Sequence, residues 1–261
     1  MNAVVGFLKC ALNLFRRSKI DFVIPPAPIH SLAVAGSRAR FPVNRIFCVG
    51  RNYAAHAREM GKDPEREPPF FFMKPASATV DASGAEVTIA YPSMTANFHF
   101  EVELVAAISV GGSDIAEADA LRHVFGYAVG LDMTRRDLQQ EAKNTSRPWD
   151  LSKAFIASAP IGAIHPVTVI GHPQSALISL TLTSSTMTSP TNKQQPRQQS
   201  NIDMMIWSVA ESIAYLSQYE ALQAGDLIMT GTPEGVGAVR PGEVMHGHVG
   251  GLSDIAVRVA G

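Results

Sequence analysis

"NFHFEVELVAAI", Asn97 to Ile108, sets two carboxylates, Glu101 and Glu103, inside a run that otherwise reads as a buried β-strand. Side chains of a strand alternate between its two faces, so both glutamates point the same way. Two like charges on one partly dry face repel and raise each other's pKa. A positive group between them relieves that repulsion, and a divalent cation is the simplest candidate. Read alone, E-x-E also fits an exposed strand facing solvent, so the surrounding sequence has to decide.

Working outward, the chain has 261 residues and is 46% hydrophobic, enough for a sizeable core in one large domain or a small domain plus a large one. Its formal net charge of −1 gives nucleic-acid binding no electrostatic support. The two cysteines, Cys10 and Cys48, form no C-x-x-C pair. A thiolate metal site or a disulfide framework is therefore not expected, and a reducing cytoplasm fits. No apolar run reaches the ~18 residues of a membrane span. "MNAVVGFLKCALNLFRRSK" is apolar first and basic afterwards, the reverse of a secretory signal. It reads as an extension, residues 1–19, with a short amphipathic helix as the alternative, ahead of a single domain over 20–261, with 20–45 as a small N-terminal subregion.

The rest of the chain is rich in short strands. "RIFCVG", "EVTIAY", "FEVELVAAISV", "GYAVGLDMT", "VTVIG", "SALISLTLTSS", "GDLIMTG" and "DIAVRV" carry strand signals, and "NYAAHAREMG" reads as a short helix with a C-terminal glycine cap. "DIAEADALRHVF" and "RRDLQQEAK" are helical in period, and "IDMMIWSVAESIAYLSQYEAL" is the clearest helix. The polar stretch around 184–200 reads as a long mobile hairpin loop. Many short strands with few helices predict a β-rich α+β domain, not a doubly wound sheet.

Four further places carry chemistry. A hard cation held by Glu101 and Glu103 takes a third oxygen ligand from a neighbouring strand end, and Asp132 in "GYAVGLDMT" fits. His56 and Glu59 stand at i, i+3, so on a helix they share a face and can hydrogen-bond as a general base and its orienter. Lys153 lies in the apolar context of "RPWDLSKAF", where it could neutralise a developing oxyanion. The glycines of "TGTPEGVG" could bring backbone N–H groups to an anion, although the segment is neither a P-loop nor a Rossmann turn. Each pattern has an ordinary alternative: a surface His–Glu pair, a snorkelling lysine, a tight turn.

Together and in this order, "CVGRNYAAHAREMG", "PPFFFMKPASA", "FHFEVELVAAI", "GYAVGLDMTRRDLQ", "RPWDLSKAFIASAPIG" and "GDLIMTGTPEGVG" resemble the fumarylacetoacetate hydrolase family, from about Phe41 to the C-terminus. The likeness is strongest to its fumarylpyruvate and acylpyruvate hydrolase branch. The resemblance implies a mixed β-sandwich-like roll, with Mg²⁺ or Mn²⁺ held by Glu101, Glu103 and Asp132. It implies His56 and Glu59 on a lid helix, Lys153 beside the metal, and substrate contacts from Arg136, Gln139 and Thr232. It also implies a homodimer.

The implied reaction is hydrolysis of the C3–C4 bond of a 2,4-dioxo acid, fumarylpyruvate or a close acylpyruvate. His56 and Glu59 would activate water, and Lys153 and the cation would hold the charge of the departing pyruvate. Two other readings use the same residues differently: an oxaloacetate decarboxylase or 2-oxo acid isomerase, and a metal-binding module without catalysis. The third leaves the His–Glu pair and Lys153 without a purpose.

Overall fold

The strand Val102–Ile108 is buried along its whole length, and its parity organises the molecule. Val102, Leu104, Ala106 and Ile108 point into one hydrophobic core. Val105 and Ala107 point into a second core on the opposite face, and Glu101 and Glu103 share their parity. In this computed structural model of the protein, residues 21–59, 67–184 and 195–261 are described. The expectations for residues 1–19, for a cap at Gly61 and for most of the 184–200 loop lie outside them.

Val102–Ile108 sits inside an eight-stranded mixed sheet. Leu227–Met229 flanks it on one side and Val124–Leu131 on the other, both antiparallel. Beyond Leu227–Met229 come Arg45–Gly50, parallel to it, and then Phe70–Pro75, antiparallel. Beyond Val124–Leu131 come Ala159–Ile161 and Thr79–Asp81, the latter pair parallel. A five-stranded sheet, in the order Gln198–Asn201, Leu177–Ser184, Glu243–Val249, Ile255–Val259 and Val87–Ile89, lies over one face. Leu180, Met245 and Val257 from that sheet share a core with Leu104 and Val129. The opposite face is covered by the hairpin Ser31–Ala33 and Arg40–Pro42, whose Leu32 and Phe41 pack with Ile46, Val105 and Met229.

This is the expected β-rich α+β architecture, a curled mixed sheet with short helices. Three local expectations are corrected. The helix expected across Ile202 to Leu222 is a 3-10 turn at Ile202–Met204 followed by a nine-residue helix, Val209–Ser217. The side chain of Asn201 captures the Asp203 N–H, and the real start is a capping box in which Ser208 and Glu211 satisfy each other's backbone N–H groups. "VTVIG" forms a single helical turn, Val167–Ile170, ended by Gly171 at φ 70, instead of a strand. "DIAEADALRHVF" is helical only at Glu117–Ala120, with a 3-10 turn over Leu121–His123. Among the described residues no helix is long and apolar enough to cross a membrane.

Candidate active site

The register of two antiparallel strands assembles the acidic cluster. Val102 pairs with Leu131 and Glu103 with Gly130, so Asp132, one residue past its strand, comes beside Glu101. The Asp132 N–H donates to the Glu101 carbonyl at 2.8 Å, fixing that join. Carboxylate oxygens of Glu101, Glu103 and Asp132 lie within 4.8 Å of one another, and all three residues are buried. The face that is apolar further along the strand, at Val105 and Ala107, thus opens at its start into a polar pocket.

The positive charge expected near the two glutamates comes from the protein itself. Lys153 Nζ donates to Glu101 Oε2 at 2.9 Å and to Asp132 Oδ2 at 2.8 Å. Arg136 Nη2 donates to Glu101 Oε1. Burial disfavours the Glu101 anion, but Lys153 and Arg136 outweigh it and hold the carboxyl well below the usual range. Glu103 goes the other way. Burial, with Asp132 and Glu101 close by, pushes its carboxyl well up, against the opposing Lys153 and the Gly231 N–H at 2.8 Å. The mutual repulsion expected of the pair therefore appears on Glu103 alone, because Glu101 has the cations.

The donor set fits a hard divalent cation: three carboxylates converge from two strands, and one remains poorly compensated. A second observation agrees. Asp132 Oδ1 lies 2.8 Å from Lys74 Nζ, yet outside hydrogen-bonding geometry, so a fully buried carboxylate oxygen has no hydrogen bond.

The remaining residues singled out from the sequence meet around this cluster. His56, on the helix Ala54–Glu59, lines the same pocket, and its Nδ1 is 3.2 Å from Glu59 Oε2. Glu59 lies outside the pocket lining and also accepts the Gly235 N–H at 3.2 Å, so it is braced from the glycine turn. Lys153 ends the short helix Asp150–Lys153 and is buried. Arg136 and Gln139 project from the helix Arg136–Asn144, and Arg136 Nη1 donates to Gln139 Oε1 at 2.6 Å. The Thr232 hydroxyl reaches the pocket but is engaged internally: it donates to the Val102 carbonyl and accepts from Gln198 Nε2, both at 2.8 Å. Gly231, at φ 92, makes the preceding turn; a Cβ there would lie 2.7 Å from Asn52 Cβ. Its N–H faces Glu103, so this backbone group meets a carboxylate of the site rather than a free anion.

Four residues were missed from sequence. Lys74 is fully buried and donates to the Lys153 carbonyl, to Ser158 Oγ at 3.1 Å and to the Met133 carbonyl at 3.3 Å. A period of two in "FFFMKP" sets Phe70, Phe72 and Lys74 on one face, and that was the available signal. His99 accepts from Arg136 Nε at 3.3 Å through Nδ1 and pairs with Asn97 Oδ1 at 2.8 Å through Nε2, which suits a neutral imidazole with its proton on Nε2. Burial and the Arg136 charge push its pKa down to about 4. Arg51 and Lys143 also line the pocket. Lys143 falls seven residues after Arg136, hence on the same helix face.

A family model described as "Fumarylacetoacetate (FAA) hydrolase C-terminal" matches residues 45–260. The crystal structure of fumarylpyruvate hydrolase from Pseudomonas aeruginosa, in complex with Mn²⁺ and pyruvate, is similar at a TM-score of 0.86 and 54% identity, covering 92% of this chain and 99% of that one. A fumarylpyruvate hydrolase from a Ralstonia species is 44% identical over 76% of this chain and 95% of its own length. The mitochondrial oxaloacetate tautomerase FAHD2 of Oryza sativa subsp. japonica is 38% identical over 86% of this chain and 94% of its own length.

Proposed function

The chain belongs to the fumarylacetoacetate hydrolase family, and from that premise we propose that it hydrolyses the C3–C4 bond of a 2,4-dioxo acid, with fumarylpyruvate giving fumarate and pyruvate. The observation that carries this reading is the convergence of His56, Lys153 and the Glu101–Glu103–Asp132 cluster on one pocket. A base, a fixed cation and a metal-competent acidic set are what hydrolytic cleavage beside a 2-oxo acid requires.

A divalent cation held by Glu101, Glu103 and Asp132, Mg²⁺ or Mn²⁺, would supply positive charge opposite the 2-oxo-carboxylate end of the substrate. His56 Nε2 would take a proton from water, with Nδ1 held by Glu59 in the orientation this needs. The activated water would attack C4, the C3–C4 bond would break, and the electron pair would leave with the pyruvate fragment. Lys153, held between Glu101 and Asp132, would stabilise that developing negative charge, and protonation at C3 would complete pyruvate. Arg136 and Gln139, linked to each other, would orient the substrate carboxylate beside Thr232. The reading includes a cytoplasmic homodimer.

Isomerisation of oxaloacetate is the second reading, favoured by the likeness to the rice tautomerase; it would use the same acidic cluster and Lys153 without attack by water. The two separate in one assay. Purified enzyme with Mg²⁺ or Mn²⁺ is given fumarylpyruvate, with oxaloacetate in parallel, and products are quantified. Stoichiometric fumarate and pyruvate, lost with EDTA and restored by metal, is the expected result. Interconversion of oxaloacetate tautomers with no fumarate formed would overturn the hydrolase.

A further inference from the structure

The pocket around the acidic cluster is small, about 30 Å³, more than the roughly 10–15 Å³ that one water needs but too little for a whole dioxo acid. A second chamber of about 590 Å³ lies outside it, and Arg51, Phe70, Phe72, Trp149 and Lys153 line both. For a dioxo acid seated by its 2-oxo end, this shared neck gives the acyl arm a route to the larger space.

Two further cations stand beside this neck: Arg51 lines both spaces, and Lys143 lines the inner pocket. Glu101 and Asp132 are matched by Lys153, Arg136 and Lys74. Arg51 and Lys143 have no carboxylate partner among the described residues. Each instead lies against one aromatic wall. The Arg51 guanidinium is 5.1 Å from the centre of the Phe70 ring, and Lys143 Nζ is 5.2 Å from that of Trp149. Phe70 and Trp149 pack edge to face at 5.4 Å, so the two cations flank a continuous aromatic pair. Burial first, then the Arg136 and Arg51 charges, hold the Lys143 ammonium down at about 8 against the opposing Glu101.

The arrangement is built in. Arg51 sits at φ 55, a backbone state that side-chain-bearing residues rarely adopt and that clusters at ligand clamps. Asn52, the next residue, anchors it by donating to the Trp207 and Thr230 carbonyls, both at 2.8 Å. Gly50, just before it, leaves room for Phe70, whose ring would lie 2.0 Å from a Cβ there.

We propose that Arg51 and Lys143 form a second carboxylate subsite where the inner pocket meets this neck, which selects 2,4-dioxo acids whose acyl group itself ends in a carboxylate. The inference rests on the hydrolase reading for its substrate and extends it by assigning the far end of that substrate. A planar guanidinium and an ammonium over aromatic faces suit an unsaturated dicarboxylate, whose flat chain packs on the rings.

The test compares kcat/KM for fumarylpyruvate with that for acetylpyruvate, which lacks the second carboxylate, in wild type, Arg51→Gln, Lys143→Gln and Arg51→Lys. Fumarate and crotonate binding to the same proteins is measured by calorimetry. The fumarylpyruvate-to-acetylpyruvate ratio should fall roughly 10- to 100-fold in Arg51→Gln and Lys143→Gln, mainly through KM, and recover in part in Arg51→Lys. Fumarate binding should weaken similarly while crotonate binding changes little. Equal losses on both substrates, or fumarate binding unaltered in both Gln variants, would overturn the subsite. If wild type cleaves neither dioxo acid, the hydrolase reading fails, and the fumarate-versus-crotonate comparison still decides the subsite.

Discussion

Lys74 Nζ lies 2.8 Å from Asp132 Oδ1, and both side chains are buried. The lysine comes from the edge strand Phe70–Pro75 and the aspartate from just past a central one, Val124–Leu131. The same ammonium also holds the Lys153 carbonyl, so one residue positions a candidate metal ligand and the candidate oxyanion-stabilising lysine together. Without Lys74 the buried Asp132 carboxylate keeps only Lys153, and the Lys153 carbonyl and Ser158 Oγ lose a buried donor. Lys74→Met should therefore cost about 3–5 kcal/mol of stability. Urea denaturation with EDTA present, so that metal binding does not contribute, measures it; a loss under about 1 kcal/mol would show that Asp132 does not depend on Lys74.

Glu103 is the carboxylate whose charge the protein leaves least compensated, so it has most to gain from a cation. Glu103→Gln removes a charged ligand yet keeps an acceptor for the Gly231 N–H. Mn²⁺ affinity measured by calorimetry should fall beyond the roughly 10- to 100-fold typical of outer-shell changes. Unchanged Mn²⁺ binding would place the metal elsewhere.

His56→Ala should leave Mn²⁺ affinity close to wild type while lowering kcat by about 10²- to 10⁴-fold, the usual share of a general base. The kcat of Glu59→Gln should fall between wild type and His56→Ala, because the amide can still orient the ring but not stabilise its cation. Full turnover by His56→Ala would remove His56 as the base.

His99 makes a pH prediction. Its ordinary value is 6.5 and its folded value about 4, so between those limits the unfolded chain binds more protons than the folded one. Stability linked to His99 is fully present above pH 6.5 and is lost as pH falls through 4. Chemical denaturation from pH 7 to 4 should show stability decreasing as the medium acidifies, and His99→Asn should flatten that part of the slope. An identical slope in the variant would show that His99 is not the group responsible.

Much of the candidate site's layout was legible because the spacing of its residues is local. The parity of Glu101-Val102-Glu103, the i, i+3 spacing of His56 and Glu59, and the strand-end place of Asp132 follow from the repeat of strand and helix. The structure brings the three acids and His56 to one pocket, with Glu59 behind the imidazole. Helix limits were less legible. Ser208 could be read as a cap, but the competing 3-10 turn at Ile202–Met204 depends on Asn201, whose strand pairing is long-range. Lys74 was hidden for a similar reason. A lysine among phenylalanines reads as a strand-edge charge until the fold sets Asp132, Ser158 and the Lys153 carbonyl around it.

The sequence by itself determined the β-rich class, the order of the motifs and which side chains share a face, because these depend on periods of two and 3.6 and on turn chemistry. Only the tertiary structure decided where the positive charge sits, since Coulomb energy depends on distances between residues far apart in the chain. It gave Glu101 two cations and left Glu103 with repulsion, and it set Arg51 and Lys143, on separate segments, along one aromatic wall.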